Sequence, residues 1–264
     1  MTYFTRNQGF PFGLDLSQHN ASWDGKTIPE FDQISRHLPE VQFVALRTGI
    51  SWGYRDKQFT RYFAEAERVG LCILTYHVIY PCADAIRQMD AFLAILEKTD
   101  LNEVRLVLDV ELAQGKTKGQ ITRVLTQSLE HLKRATGRYP IIYSRALWVN
   151  EFLQVADLPE VDWWLAQYIR SLDSPLYTPE YPCPPLLPKG VSKWLIHQTT
   201  QRGPAIGGVG YYMDYNRWNG SSEQLRAYFN KPKPILAQCP LDSLPCHRAA
   251  QDFMQKPQKR EVPA

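Results

Sequence analysis

The sequence predicts a single-domain α/β protein in which eight strands form a barrel. Strand-like and helix-like hydrophobic periods alternate along the chain, which is typical of a βα architecture. Eight runs rich in apolar residues are predicted strands, and helical segments separate only the first six of them. Right-handed crossovers would bring such strands round into a closed or nearly closed barrel, although a doubly wound open sheet would begin with the same pattern. We therefore expect five βα units followed by three strands.

Each predicted element has a local basis. The strands, apolar runs bounded by turns or helical segments, cover residues 12–17, 41–49, 71–79, 104–112, 140–145, 161–169, 192–200 and 211–216. The helices are predicted over residues 28–38, 56–69, 83–99, 117–135 and 146–155. The fourth helix is the clearest, because apolar residues from Ile121 to Leu132 fall on one helical face. Gly137 follows it, where a left-handed residue commonly ends a helix.

The last third of the chain has a different character. The stretch "SLDSPLYTPEYPCPPLLPKG" (residues 171–190) contains six prolines, which exclude a helix or a central strand. From residue 230 the composition shifts to Pro, Lys and Gln. We expect residues 1–229 to form the barrel domain and residues 230–264 a tail that is loosely packed or poorly ordered.

Composition limits the classes of function. The 264 residues are 44% hydrophobic and 22% charged, as in globular proteins, and the net charge of +3 is too small to indicate nucleic-acid binding. No apolar run is long enough to insert into a membrane, and the opening residues lack a signal-peptide pattern, so we expect synthesis in a cytosol. The odd number of cysteines, five, fits neither a zinc site nor a compact disulfide framework, so we expect mainly reduced thiols.

Four carboxylates are predicted at one end of the barrel. Asp109 and Glu111 interrupt the apolar run "LVLDVEL" at positions i and i+2, so their side chains share one face of the fourth predicted strand. Asp15 lies near the end of the first strand and Asp214 on the last, which neighbours the first in a closed barrel. Barrel enzymes assemble their sites where parallel strands end. We expect these residues to form a catalytic site.

Crowded carboxylates suit acid catalysis. Like charges a few ångströms apart raise at least one pKa, and glycosidases use one protonated carboxyl with a second, ionised one. Glu111, with the longer side chain, is the expected proton donor. A single Asp at a strand end is more often a cap, but capping does not explain four. A metal site is the less favoured alternative, because His19, His77 and His197 match no ligand spacing; we expect no metal and no cofactor.

Aromatic side chains accompany the carboxylates. Trp164 and Tyr168 share one face of the sixth predicted strand, and Tyr76 lies near the end of the third. Aromatic rings have flat apolar faces suited to stacking on sugar rings. The alternative is that these rings simply fill the core.

With these motifs the chain resembles glycoside hydrolase family 25, the Chalaropsis-type lysozymes, from about residue 12 to 229. The matching pieces are "GLDLSQHN", "FVALRTG", "YH", "LVLDVE", "PIIYS", "WWLAQY", "WLIHQTT" and "GYYMDYNRWNG". The resemblance implies a flattened (β/α)5β3 barrel that cleaves the β-1,4 bond between N-acetylmuramic acid and N-acetylglucosamine in peptidoglycan, with retention of configuration.

The resemblance also implies roles for individual residues. Glu111 corresponds to the acid/base, Asp109 to the carboxylate beside it, and Asp15 and Asp214 to the acidic residues of the first and last strands. Tyr76 and Trp164 correspond to aromatic residues that line the sugar groove. Tyr168, which shares a strand face with Trp164, is also expected to bind substrate. Where the family commonly has "WQ" followed by an aromatic residue, this chain has His197, Gln198 and Thr199 on the seventh predicted strand, which alters the floor or wall of the groove. We expect His197 and Gln198 to bind substrate there.

Two other functions stay open. A non-catalytic peptidoglycan-binding or phage tail protein could keep the barrel, although a binder has no use for four acids. A metal-dependent hydrolase is the third possibility. For the lysozyme, the expected partner is a peptidoglycan glycan strand, reached after holin-type release or as part of a virion.

Overall fold

Eight strands close into a barrel in the computed structural model, which describes residues 10–168, 184–210 and 212–231. The strands are β1 (Phe12–Leu16), β2 (Val41–Ile50), β3 (Tyr54–Arg55), β4 (Cys72–Val78), β5 (Val104–Asp109), β6 (Ile141–Ser144), β7 (Trp163–Ala166), β8 (Ile196–Pro204) and β9 (Tyr212–Trp218). All but β3 belong to the barrel, in the order β1-β2-β4-β5-β6-β7-β8-β9. Neighbours from β1 through β8 are parallel, and β9 is antiparallel to both β8 and β1.

Helices connect the first six barrel strands. They are α1 (Phe31–Ser35), α2 (Phe59–Arg68), α3 (Ala85–Ile95), α4 (Lys118–Thr136) and α5 (Ala146–Phe152), and α6 (Ser222–Tyr228) follows the last strand. Gly137 ends α4 with a φ of 76°, as its position predicted. None of the helices in the described residues is long and apolar enough to cross a membrane.

Strand alternation separates two cores. Side chains such as Phe43, Leu74 and Trp164 point into the barrel and form one buried cluster. Their sequence neighbours point outward, where they pack under the helices in a second, larger cluster. Gly13 allows Phe43 to fill the barrel, because a Cβ there would lie 2.4 Å from its ring. The strands are therefore buried on both faces, which explains why they read as nearly continuous apolar runs.

The structure confirms the predicted barrel and corrects some of its details. Because β1 pairs with β2 as well as with β9, the open-sheet alternative is wrong. The hairpin strand β3 and helix α6 were not predicted; the N-cap residue of α6 is Ser221, which forms a capping box with Gln224. The fourth predicted strand, β5, ends at Asp109 rather than at residue 112, so Glu111 lies just beyond the strand.

Several predictions concern residues that are not described. The proline-rich stretch is described only from residue 184, and the tail only to residue 231, so the predicted domain boundary stays a prediction. Cys72 and Cys82 are free thiols, and Cys183, Cys239 and Cys246 lie outside the described residues.

Candidate active site

Two aspartates face each other where the barrel closes. Asp15 on β1 and Asp214 on β9 are directly opposite partners in the antiparallel ladder. Gln198 of β8 bridges them, since its Nε2 donates to Asp15 Oδ2 at 2.9 Å and to Asp214 Oδ2 at 3.2 Å. The two carboxyls also hydrogen bond to each other, which requires a proton between them. The pair is therefore held by strand register and by one shared amide.

Interior side chains fix this pair from below. Asn216 Nδ2 donates to Asp15 Oδ2 at 2.8 Å, and Asn216 Oδ1 accepts from Trp164 Nε1 at 2.8 Å. The hydroxyl of Tyr143 donates to Gln198 Oε1 at 2.9 Å. These bonds fix the orientation of both amides, so their N–H groups point at Asp15. A chain of buried hydrogen bonds thus supports the first carboxyl of the site.

Asp109 lies across the barrel mouth at the end of β5. Its side chain is buried, and its Oδ1 has no hydrogen-bond partner among the described residues. The nearby cation Arg47 is itself bound to the buried Asp56, with Nε to Oδ2 at 2.8 Å. The positive charges of Arg47 and Arg145 act to lower the pKa of Asp109, although neither residue bonds to it directly. An acceptor at the floor of the mouth is therefore left for a substrate group.

Glu111 is the carboxyl that reaches outward. It follows β5 by two residues, and its side chain is 29% exposed, whereas Asp15 and Asp109 are buried. Arg145 Nη2, from the turn between β6 and α5, lies 3.4 Å from Glu111 Oε2. Of Asp15, Asp109 and Glu111, only Glu111 is partly accessible to solvent. Glu111 is also the residue expected to donate the proton.

The electrostatics of the site favour protonated aspartates. Burial raises the pKa of Asp15, and burial followed by the charges of Glu111 and Asp15 raises the pKa of Asp109 well above its ordinary value. Burial, the charge of Asp15 and the hydrogen bond to it raise the pKa of Asp214 to about 9. The expected crowding of carboxylates is present, but desolvation raises the pKa values of these aspartates more than the neighbouring charges do.

The predicted aromatic residues surround the carboxylates at different depths. Tyr76 packs edge-on against Trp164, with 6.3 Å between ring centroids, and is partly buried. Tyr168 is partly buried too, and burial followed by the charge of Asp214 raises its pKa to about 12. Trp164 is only 2% exposed, so its ring has no free face for a sugar and its role is to hold Asn216. The groove-lining prediction for Trp164 therefore needs correction.

Strand alternation also separates His197 from Gln198. Gln198 points into the barrel and touches both aspartates, whereas His197 is buried on the outer face. There Arg217 Nε donates to His197 Nδ1 at 3.1 Å, and His197 Nε2 bonds the Gln167 carbonyl at 2.8 Å. Burial lowers the pKa of His197 to about 4. The substrate-binding prediction for His197 is wrong, because adjacent strand residues cannot face the same site.

The residues that the sequence reasoning missed are the supporting ones. Tyr143 binds Gln198, Asn216 binds Asp15, and Arg47 and Arg145 act on Asp109 through their charge. Arg47, Tyr143 and Asn216 lie within the quoted motifs, and Arg145 directly follows one. Strand parity could have identified Asn216, two residues after Asp214. In the described residues, no three His, Cys, Asp or Glu side chains are arranged to hold a metal ion. The histidine on β4, His77, is a core residue that is stacked on Phe92.

Comparisons with known proteins agree with this fold. The curated Escherichia coli protein "Uncharacterized protein YegX" is 25% identical over 217 residues, which are 82% of this chain and 72% of that protein. Among solved structures, the bacterial lysozyme from Streptomyces coelicolor has a TM-score of 0.67 at 21% identity, over 86% of this chain and 100% of that one. The spore cortex lytic enzyme SleM from Clostridium perfringens has a TM-score of 0.66 at 23% identity, over 84% and 71%.

The match at the level of the family is the decisive one. The model of the glycosyl hydrolases family 25 matches residues 14–208, a stretch that includes Asp15, Asp109 and Glu111 and most of the barrel. Asp214 lies six residues beyond the matched range but pairs with Asp15 inside it. The chain therefore belongs to glycosyl hydrolases family 25.

Proposed function

We propose that this glycosyl hydrolase is an N-acetylmuramidase, which cleaves the β-1,4 bond between N-acetylmuramic acid and N-acetylglucosamine in peptidoglycan. The observation that carries the proposal is the arrangement of four carboxyls at one barrel mouth, where Glu111 is partly exposed and the aspartates lie deeper. A lysozyme and a spore cortex lytic enzyme with the same fold support the choice of substrate. Family membership supports hydrolysis over mere binding.

Glu111 is the proposed general acid. Its carboxyl gives a proton to the bridging oxygen as the bond between that oxygen and the anomeric carbon breaks, and the departing sugar leaves as an alcohol. The ionised carboxylate then removes a proton from the water that attacks the anomeric carbon. Arg145, 3.4 Å away, is positioned to stabilise this ionised form between the two steps.

The aspartates have supporting parts in this proposal. Asp109 has an unpartnered Oδ1 that can bind the N–H of the substrate's acetamido group and direct the acetamido oxygen at the anomeric carbon. Asp15 and Asp214, which share a proton, fix the opposite wall of the mouth. Attack by the acetamido oxygen and attack by an aspartate both give retention. A substrate lacking the N-acetyl group separates them, because only the first route needs that group.

Product analysis of a cell-wall digest tests the bond that is cleaved. A muramidase leaves reducing N-acetylmuramic acid ends, which mass spectrometry after borohydride reduction identifies. Reducing N-acetylglucosamine ends or released stem peptides would contradict the proposal.

A variant tests the acid. Glu111→Gln keeps the shape of the side chain but has no proton to give, so clearing of a wall suspension should fall about 100-fold or more. Glu97→Gln is the matched control, since Glu97 is an exposed residue that precedes β5 at the other end of the barrel. Undiminished clearing by Glu111→Gln would remove Glu111 from its assigned role.

We also propose lytic action on bacterial walls, after holin-type release or from a virion. Lysis of host cells only when the enzyme is co-expressed with a holin would support the first route, whereas wall degradation by purified virions would support the second.

A further inference from the structure

The loop after β1 holds a tryptophan entirely in solvent. Trp23 is 103% exposed, so its indole contributes no buried area to the fold. A single exposed apolar residue is common on protein surfaces, but a fully exposed tryptophan is not. The loop starts directly after β1, at the barrel end that carries Asp15, so the exposed indole lies on the same end of the barrel as the candidate active site.

The loop is rigid. Ser22 N donates to the Thr27 carbonyl at 2.8 Å, and Thr27 N donates to Ser22 Oγ at 2.9 Å. From helix α2 and its N-terminus, Arg61 Nη1 and Gln58 Nε2 donate to the Gly25 carbonyl at 3.0 and 2.8 Å. These four hydrogen bonds therefore hold a short turn whose largest side chain, that of Trp23, is fully exposed. Such preorganisation lowers the entropic cost of binding a ligand to that side chain.

The indole borders a cleft of about 360 Å³, within the range of about 300–1,000 Å³ that is typical of small-ligand sites. Polar side chains of His19, Lys57, Gln18 and Gln58 also line the cleft. The Oε1 atom of Gln18 is buried there without a hydrogen-bond partner among the described residues. One flat apolar ring and several polar side chains match the chemistry of a sugar, which has a C–H face and a rim of hydroxyl and acetamido groups.

The cleft is joined to the catalytic mouth by a short chain of contacts. Gln18 N, on the cleft, donates to Asp56 Oδ2 at 3.0 Å, and the same oxygen binds Arg47 Nε at 2.8 Å. Arg47 in turn acts on the charge of Asp109. A glycan strand that places one bond at Glu111 therefore has a second polar cleft beside the same barrel mouth.

We propose that the cleft beside Trp23 is a distal saccharide subsite, which binds a sugar unit of the glycan strand by stacking on the indole. This inference rests on the proposed muramidase function and specifies where else the same substrate is held. Binding at such a subsite is present equally in the ground state and in the transition state. Its loss therefore raises KM and leaves kcat nearly unchanged.

A binding experiment on inactive protein tests the subsite without relying on turnover. In the Glu111→Gln background, affinity for insoluble cell walls is measured by co-sedimentation for the parent and for the added variants Trp23→Ala, Trp23→Phe and Leu38→Ala. Leu38 is the matched control, because it is 86% exposed and precedes β2 at the opposite end of the barrel. A second series uses walls whose stem peptides have been removed by an amidase.

The expected result is an affinity loss of about three- to tenfold for Trp23→Ala on both kinds of wall, with recovery in Trp23→Phe and no change in Leu38→Ala. Equal affinity of Trp23→Ala and the parent, or a parent that does not bind walls, would overturn the inference. A loss confined to peptide-bearing walls would do the same, since the contact would then be with the peptide. The product analysis of the active enzyme decides the muramidase assignment separately.

Discussion

Asp214 should limit the stability of this protein at neutral pH. Its pKa is raised from an ordinary value of 3.8 to about 9, first by burial and then by Asp15. The contribution of a carboxyl with a raised pKa to stability falls steadily with pH wherever the unfolded chain is ionised and the folded one is not. The contribution is therefore most favourable below about pH 4 and declines as the pH rises towards 9. Asp214→Asn removes the ionisable group but keeps an N–H that can bond Asp15.

The magnitude follows from the size of the shift. Each pH unit above 3.8 costs about 1.4 kcal/mol while the folded carboxyl stays protonated, which gives an upper limit of about 4 kcal/mol at pH 7. Asp214 is partly exposed and shares its proton with Asp15, so water and the pair relieve most of this cost. We expect Asp214→Asn to raise the free energy of unfolding by about 1–2 kcal/mol at pH 7. That corresponds to a Tm about 3–6 °C higher.

Urea unfolding at pH 5 and pH 8 measures the effect. The difference between Asp214→Asn and the wild type should be larger at pH 8, while wall clearing by the variant falls, as expected when a strained site is relaxed. Asp157→Asn, on an exposed turn, is the control and should change the unfolding free energy by less than about 0.5 kcal/mol. A variant that is less stable than the wild type by the same amount at both pH values would refute the reasoning.

Three further substitutions have defined outcomes. Arg145→Ala removes the cation 3.4 Å from Glu111 Oε2, which is positioned to stabilise the ionised carboxylate between the two chemical steps, so the initial rate of wall clearing should fall; an unchanged rate would contradict this. Gly13→Ala forces a methyl group against the Phe43 ring at 2.4 Å and should lower the unfolding free energy by about 1–3 kcal/mol in urea titrations, with a wild-type value as the contrary result. Gln198→Leu deprives two carboxyls and a tyrosine of their shared amide, and calorimetry should show a loss of about 2–4 kcal/mol; a loss below about 0.5 kcal/mol would mean that water replaces the amide.

The barrel was predictable because its strands are buried on both faces. An apolar run such as residues 41–49 is compatible with few structures other than a buried strand. The helices between such runs have a different hydrophobic period, which separates them from the strands. The exact end of β5 was not predictable, because Val110 remains buried after the ladder hydrogen bonds to β4 have ended. Helix α6 has only Leu225 fully buried, which leaves no periodic signal in the sequence.

The four carboxyls of the candidate site were predictable, but their surroundings were only partly so. Asp15, Asp109 and Glu111 stand out because charges are rare in apolar strands. The burial of Trp164 could not be predicted, since an aromatic residue that lines a groove and one that fills a core have the same sequence pattern. His197 could have been excluded, because it has the opposite strand parity to its neighbour, which binds the aspartates.

The pairing of β1 with β9 also sets when the enzyme can act. Asp15 is among the first barrel residues to leave the ribosome, and Asp214, its direct partner, is among the last. A chain that stops before β9, or one in which this strand has frayed, therefore carries Glu111 but no completed mouth. Hydrolytic competence therefore depends on the pairing of β9 with β1, and loss of this one strand would remove Asp214 from the mouth even where the other strands stay paired.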